Sequence, residues 1–158
     1  FTPPVVARAL GYSGLTLYES VVHGMPNYIS MAGIVQDLEK LPKPEQNKEY
    51  QWEVVANTAQ AYICKEIYAK NFKANIQKIE DFRNKIDLPL KQKTTEQVYK
   101  NSVKYGEEIA KAIYQYSKTD GADEAEKNNF PKNYKTNTGS CMWIPVGEQL
   151  ALDRKSVV

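Results

Sequence analysis

The chain contains a single histidine, His23, and two cysteines, Cys64 and Cys141, among its 158 residues. Neither cysteine lies in a Cys-x-x-Cys pair or at a spacing that would group it with histidine around a metal, which excludes the common zinc motifs. We therefore expect Cys64 to be a small buried residue and Cys141 to be a loop thiol. A disulfide between them would require that the protein be exported to an oxidising compartment.

Long apolar runs and an excess of one charge are missing as well. No apolar run approaches the roughly 20 residues that cross a bilayer, which argues against a membrane span. The net charge is +2, without a basic block or stripe, which argues against nucleic acid as a partner. The whole chain is 42% hydrophobic and 25% charged, which is the composition of one ordinary domain with a sizeable core. The sequence leaves the compartment undefined, and export stays open.

Apolar side chains recur at helical spacing along much of the chain, and no stretch shows the period of two that is typical of strands. This pattern predicts an all-α fold, a helical bundle followed by a long irregular C-terminal segment. Four long helices and one short one are expected: from Pro4 to Val22, from Met31 to Leu41 (the short one), from Tyr50 to Ala69, from Ile76 until Pro89 stops it, and from a capping box at Thr94 to Gln97 until about Tyr116.

The first predicted helix is apolar on almost every face, which is typical of a helix at the centre of a fold. One stripe consists of large apolar residues, and a second stripe of small residues would let another helix approach closely. We expect helices that this chain does not contain to cover it, so the chain alone would expose an apolar patch. The two stripes are Val6, Leu10, Leu17 and Val21, and Ala7, Gly11 and Gly14.

Three polar features are expected to be structural. Arg8 and Glu19 lie about three helical turns apart on one face, so both are expected to form buried crosslinks to other helices. His23 follows the first helix, whose C-terminus favours a cation, and it needs no catalytic role. The acidic residues from Asp120 to Glu126 lack the alternating ligands of a calcium loop and are expected to form a solvated turn.

Three short motifs stand near the start of the chain: Pro3-Pro4-Val-Val-Ala-Arg8, Leu17-Tyr-Glu19 and Gly24-Met-Pro-Asn-Tyr28. Together they resemble the opening of bacterial vanadium-dependent haloperoxidase-like proteins, which share a superfamily with the type 2 phosphatidic acid phosphatases. A later segment, from Gly139 to Pro145 with Gln149 to Leu152 after it, resembles the linker of that family. There a Trp-x-Pro stretch leads toward the catalytic half.

The resemblance implies an all-helical protein whose site holds a vanadate or phosphate oxyanion. The family's site uses a lysine, two arginines, a Ser-Gly-His stretch and a final histidine. This chain has His23 alone, no Ser-Gly-His, and no lysine before an Arg-Pro at the family spacing. We therefore assign no catalytic, cofactor-binding or metal-binding residue here, and expect vanadate only in the parent enzyme.

The resemblance also suggests how the chain is organised. Residues 1–118 are expected to form an N-terminal helical domain, and residues 119–152 an irregular linker toward a missing catalytic domain. The last six residues, Asp153 to Val158, match the translation of a common DNA-sequencing adapter, and we expect them to be an artefact. The expected partner is thus the missing C-terminal catalytic half of the same chain.

The function that follows is the non-catalytic N-terminal helical half of a vanadium-dependent haloperoxidase-like enzyme. Its parent would oxidise halides with peroxide at a bound vanadate. Two alternatives stay open. The parent could be an acid phosphatase of the same superfamily, or the chain could be a self-contained helical binding module without catalysis. A homo-oligomer is compatible with each of these.

Overall fold

The computed structural model describes residues 3–69, 73–123 and 139–141. Within these residues it contains helices and no strand, so the predicted all-α fold is confirmed. Two short 3-10 turns, Val22–Gly24 and Lys73–Asn75, supplement the long helices. The predicted linker and tail (119–152 and 153–158) lie outside the described residues, except for 119–123 and 139–141. The four long helices are α1 (Pro3–Val21), α2 (Trp52–Ala69), α3 (Ile76–Lys91) and α4 (Glu96–Tyr116).

Helix α2 is the centre of the bundle and packs against the other three helices. It runs parallel to α4, because the Gln51 amide meets the Ser102 hydroxyl at one end (2.8 Å) and Lys111 lies over the Tyr62 ring at the other. It runs antiparallel to α1 and α3. Gln60 reaches back to the Ser13 carbonyl oxygen on α1 at 2.9 Å. Within the described residues α1 thus lies at the side of the bundle, and its predicted burial under helices outside this chain stays a prediction.

The core lies mainly between α2 and α4. Val55 packs there with Tyr105, Ile109 and Ile113, all of them buried. Gly106 allows this contact, because a Cβ at that position would lie 2.6 Å from the Val55 carbonyl oxygen. Burial decreases toward the ends of both helices, where four side chains are half-buried: Trp52, Ile67, Tyr99 and Tyr116.

Helix α1 presents its large apolar residues to the outside. Val6, Leu10 and Leu17 are 38%, 62% and 46% exposed, whereas Thr16 and Glu19 on the opposite side are fully or almost fully buried. The helix thus contacts the rest of the bundle through the side that carries Tyr12, Leu15, Thr16 and Glu19. The apolar patch expected on the surface is present, and the apolar stripe of α1 does not belong to the described core.

The segment between α1 and α2 contains turns in place of the short helix predicted from Met31 to Leu41, so that prediction is wrong. Gly33 and Asp37 have positive φ angles of 79° and 60°, which interrupt any helix. The segment is held from inside by Glu19, whose carboxylate accepts hydrogen bonds from the Met31 amide (2.6 Å) and the Ser30 hydroxyl (2.8 Å). Glu19 is therefore buried as expected, but it anchors a loop, whereas a crosslink to another helix was predicted.

Two helix ends also differ from the prediction. Helix α3 continues to Lys91 through Pro89. The proline removes the hydrogen bond to the Lys85 carbonyl oxygen, but both residues are exposed, where water can satisfy that oxygen. Helix α4 is capped by Thr95, whose hydroxyl accepts from the Val98 amide at 3.3 Å. The predicted capping box from Thr94 to Gln97 would make Thr94 the N-cap, so the observed cap is one residue later.

Candidate docking surface

A groove of about 690 Å³ lies over α2, between α1 and α3. Its floor is a stripe of α2 that recurs at the spacing of one helix face. Because these side chains are small or of medium size, the floor leaves the α2 backbone open to a close neighbour. The floor residues are Ala56, Asn57, Gln60, Ala61 and Cys64.

The walls of the groove come from α1 and α3. Leu17 forms the α1 side, and Ile79, Phe82 and Ile86 form the α3 side. Phe82 is 64% exposed, so the apolar stripe predicted for α3 faces this groove instead of a core. We call the floor and these walls the apolar groove.

Lys78 and Arg83 bring positive charge to the apolar groove, and no carboxylate is among its lining residues. Arg83 is paired, with Nε 3.5 Å from the Asp87 carboxylate and a terminal nitrogen 4.0 Å from Glu80. Glu80 also pairs with Lys65 of α2. Lys78 has no such ion pair in the described part of the chain. Glu80 and Arg83 are half-buried in these pairs, so this part of α3 is not a purely solvated surface.

Asp87 connects neighbouring helices at the end of the apolar groove where Asn57 lies. Its carboxylate is buried and accepts hydrogen bonds from the Asn57 amide of α2 (2.8 Å) and the Tyr99 hydroxyl of α4 (2.9 Å). Asn57 also donates to the Arg83 carbonyl oxygen. Burial and the bond to Asp87 raise the pKa of Tyr99, so this hydroxyl remains a donor. One polar network therefore joins α2, α3 and α4.

Cys64 is the thiol of the apolar groove. It is half-buried and its thiol is free. Cys141 is exposed and also free, so the two cysteines form no disulfide with each other. Burial raises the pKa of the Cys64 thiol, which keeps it protonated and weakly nucleophilic at neutral pH. The expectation of a small buried residue is only partly met, because this side chain lines an open surface.

The groove continues onto the outward side of α1, which we call the outer face of α1: Val6, Ala7, Leu10, Gly11, Gly14 and Leu17. A Cβ at Gly11 or Gly14 would meet nothing within 4 Å. The only charged residues of α1 are Arg8 and Glu19, and both bond to other parts of the molecule. The outer face of α1 is therefore apolar, charge-free and open.

Arg8 crosslinks α1 to the residues that follow α4, but it is half-buried and not fully buried as expected. Its Nε donates to the Asp120 carboxylate at 2.8 Å, and its guanidinium also bonds to the Ser117 carbonyl oxygen. Tyr12 lies under the guanidinium, 5.0 Å from the ring centre, and its hydroxyl donates to Asp120. Asp120 is thus a partner of α1 and not part of a purely solvated turn, a role that sequence spacing could not indicate.

His23 and the possible metal ligands are spread over the described residues. His23 is exposed in the 3-10 turn that follows α1, where the sequence placed it. Among the residues that the structure describes, no group of three or more His, Cys, Asp or Glu side chains could hold a metal ion. No described helix is long and apolar enough to cross a membrane.

No protein-family model matches this chain, and no curated protein matches it. The similar solved structures include the crystal structure of the first bacterial vanadium-dependent iodoperoxidase, with a TM-score of 0.68 and 25% sequence identity. The similarity covers 84% of this chain but 30% of the iodoperoxidase chain. The chain therefore has a distant haloperoxidase-like relationship, and it spans less than a third of that neighbour's length.

Proposed function

We propose that this chain is the non-catalytic N-terminal helical part of a vanadium-dependent haloperoxidase-like enzyme. The observation that carries the proposal is the similarity to a vanadium-dependent iodoperoxidase, which extends over 84% of this chain. The three opening motifs, which include Arg8, Glu19 and Gly24, add support from the sequence. Arg8 and Glu19 hold the structure together and face away from the outer face of α1.

The described residues do not fit a vanadate ion, and the proposed role is accordingly structural. An oxyanion site needs several convergent cations or amide donors, and a vanadium site needs a histidine ligand. His23 stands alone at the surface. Arg83 is already paired with Asp87 and Glu80, which leaves Lys78 as the single unpaired cation of the apolar groove. Halide oxidation by peroxide is therefore assigned to the rest of the parent polypeptide.

The test is to sequence the natural gene beyond the codon for Leu152 and to express the whole reading frame. We expect a frame at least as long again as this chain, with a lysine, an Arg-Pro, a Ser-Gly-His and later arginine and histidine codons. The product should oxidise iodide with hydrogen peroxide only when vanadate is added, and the present chain alone should not. Hydrolysis of p-nitrophenyl phosphate without iodide oxidation would identify the parent as a phosphatase instead. A natural stop codon close to that of Val158 would contradict the proposal and favour a self-contained binding module.

A further inference from the structure

We draw no further inference here: the strongest candidate, the apolar groove over α2 together with the outer face of α1, carries nothing further because nothing in the structure shows what covers it.

Discussion

Asp87 is the residue whose loss would affect three helices at once. It accepts from Asn57 of α2 and Tyr99 of α4 while belonging to α3, and its side chain is 8% exposed. Asp87→Ala would leave an amide and a hydroxyl without their acceptor and Arg83 without one of its two carboxylates. We expect the free energy of unfolding to fall by about 2–4 kcal/mol, measured by urea denaturation.

The matched control for Asp87 is Asp81 on the same helix. Asp81 is exposed and accepts a hydrogen bond from Gln77 within α3. Asp81→Ala is therefore expected to change the free energy of unfolding by no more than about 0.5 kcal/mol. Equal losses in the two variants would show that burial and the links to α2 and α4 give Asp87 no special role.

Asp120 is expected to make the free energy of unfolding depend on pH. Burial tends to raise its pKa, but the hydrogen bond from Arg8 and those from the Ala122 amide and Tyr12 outweigh it, so the pKa of Asp120 is lowered. The unfolded chain thus binds this proton at a higher pH than the folded protein does. The stabilisation is fully present above the ordinary aspartate pKa of about 3.9 and is lost as the pH falls through the lowered native value.

The measurement is the urea midpoint of the wild type and of Asp120→Asn from neutral pH down to about pH 2. We expect the variant to be less stable at neutral pH and the difference between the two proteins to shrink at the acid end. Arg8 stays charged throughout, so only the carboxylate titrates in this pair. A difference that is constant over the whole range would mean that Asp120 contributes no charge-dependent stability.

At the scale of the element, two helical glycines should respond to alanine in opposite directions. Gly106 lies at the contact of α4 with α2, where a new Cβ would be 2.6 Å from the Val55 carbonyl oxygen and 3.1 Å from the Thr58 Cβ. Gly106→Ala should therefore cost about 1–3 kcal/mol despite the better helix propensity of alanine. In Gly14→Ala the new Cβ meets nothing, so stability should rise by up to about 1 kcal/mol.

Thermal unfolding followed by circular dichroism would measure both variants. A loss of stability in Gly14→Ala would indicate that α1 is packed on its outer side in this chain, against the open face described above.

The apolar periodicity of α4 was enough to predict its inner face, because this helix has one apolar side, as at Ile109 and Ile113. Periodicity failed for α1, which is apolar nearly all round, so spacing alone could not distinguish the open side of Leu10 from the packed side of Ala9. The prediction of a short helix after α1 failed for another reason. Its turns depend on positive φ angles at Gly33 and Asp37 and on the buried carboxylate of Glu19, which is distant in sequence.

The candidate surface could be predicted only in part. The expectation of an exposed apolar patch came from the composition of α1. The groove itself depends on how α3 packs across α2, through Lys65 with Glu80 and Asn57 with Asp87. These are tertiary pairs that no local pattern indicates. For the same reason the bond between Arg8 and Asp120 could not be assigned from sequence spacing.

At the scale of the whole molecule, the described bundle is packed on one side and open on the other. Helices α2 and α4 share an ordered core, while α1 and α3 turn Leu10, Leu17 and Phe82 outward. Contiguous apolar surface of this kind is uncommon on a monomer that acts alone and marks a site of contact. The same molecule should therefore combine cooperative unfolding with affinity for apolar probes.

The test is the fluorescence of the dye ANS with the native chain at neutral pH. We expect dye binding in the absence of denaturant, together with an intact near-ultraviolet circular dichroism signal from Trp52, which packs against Gly24. That signal separates a folded protein with an open apolar face from a molten globule, which binds dye but loses it. Leu10→Ser and Phe82→Ser should each weaken dye binding without lowering the cooperativity of unfolding.

Leu88→Ser is the control for this experiment, because Leu88 is as exposed as Phe82 (65% against 64%) but does not line the apolar groove. If exposed leucine or phenylalanine at any position recruited the dye, the three variants would behave alike and the continuous surface would have no significance. If only Leu10→Ser and Phe82→Ser weaken binding, the dye occupies the surface that joins α1 to the groove.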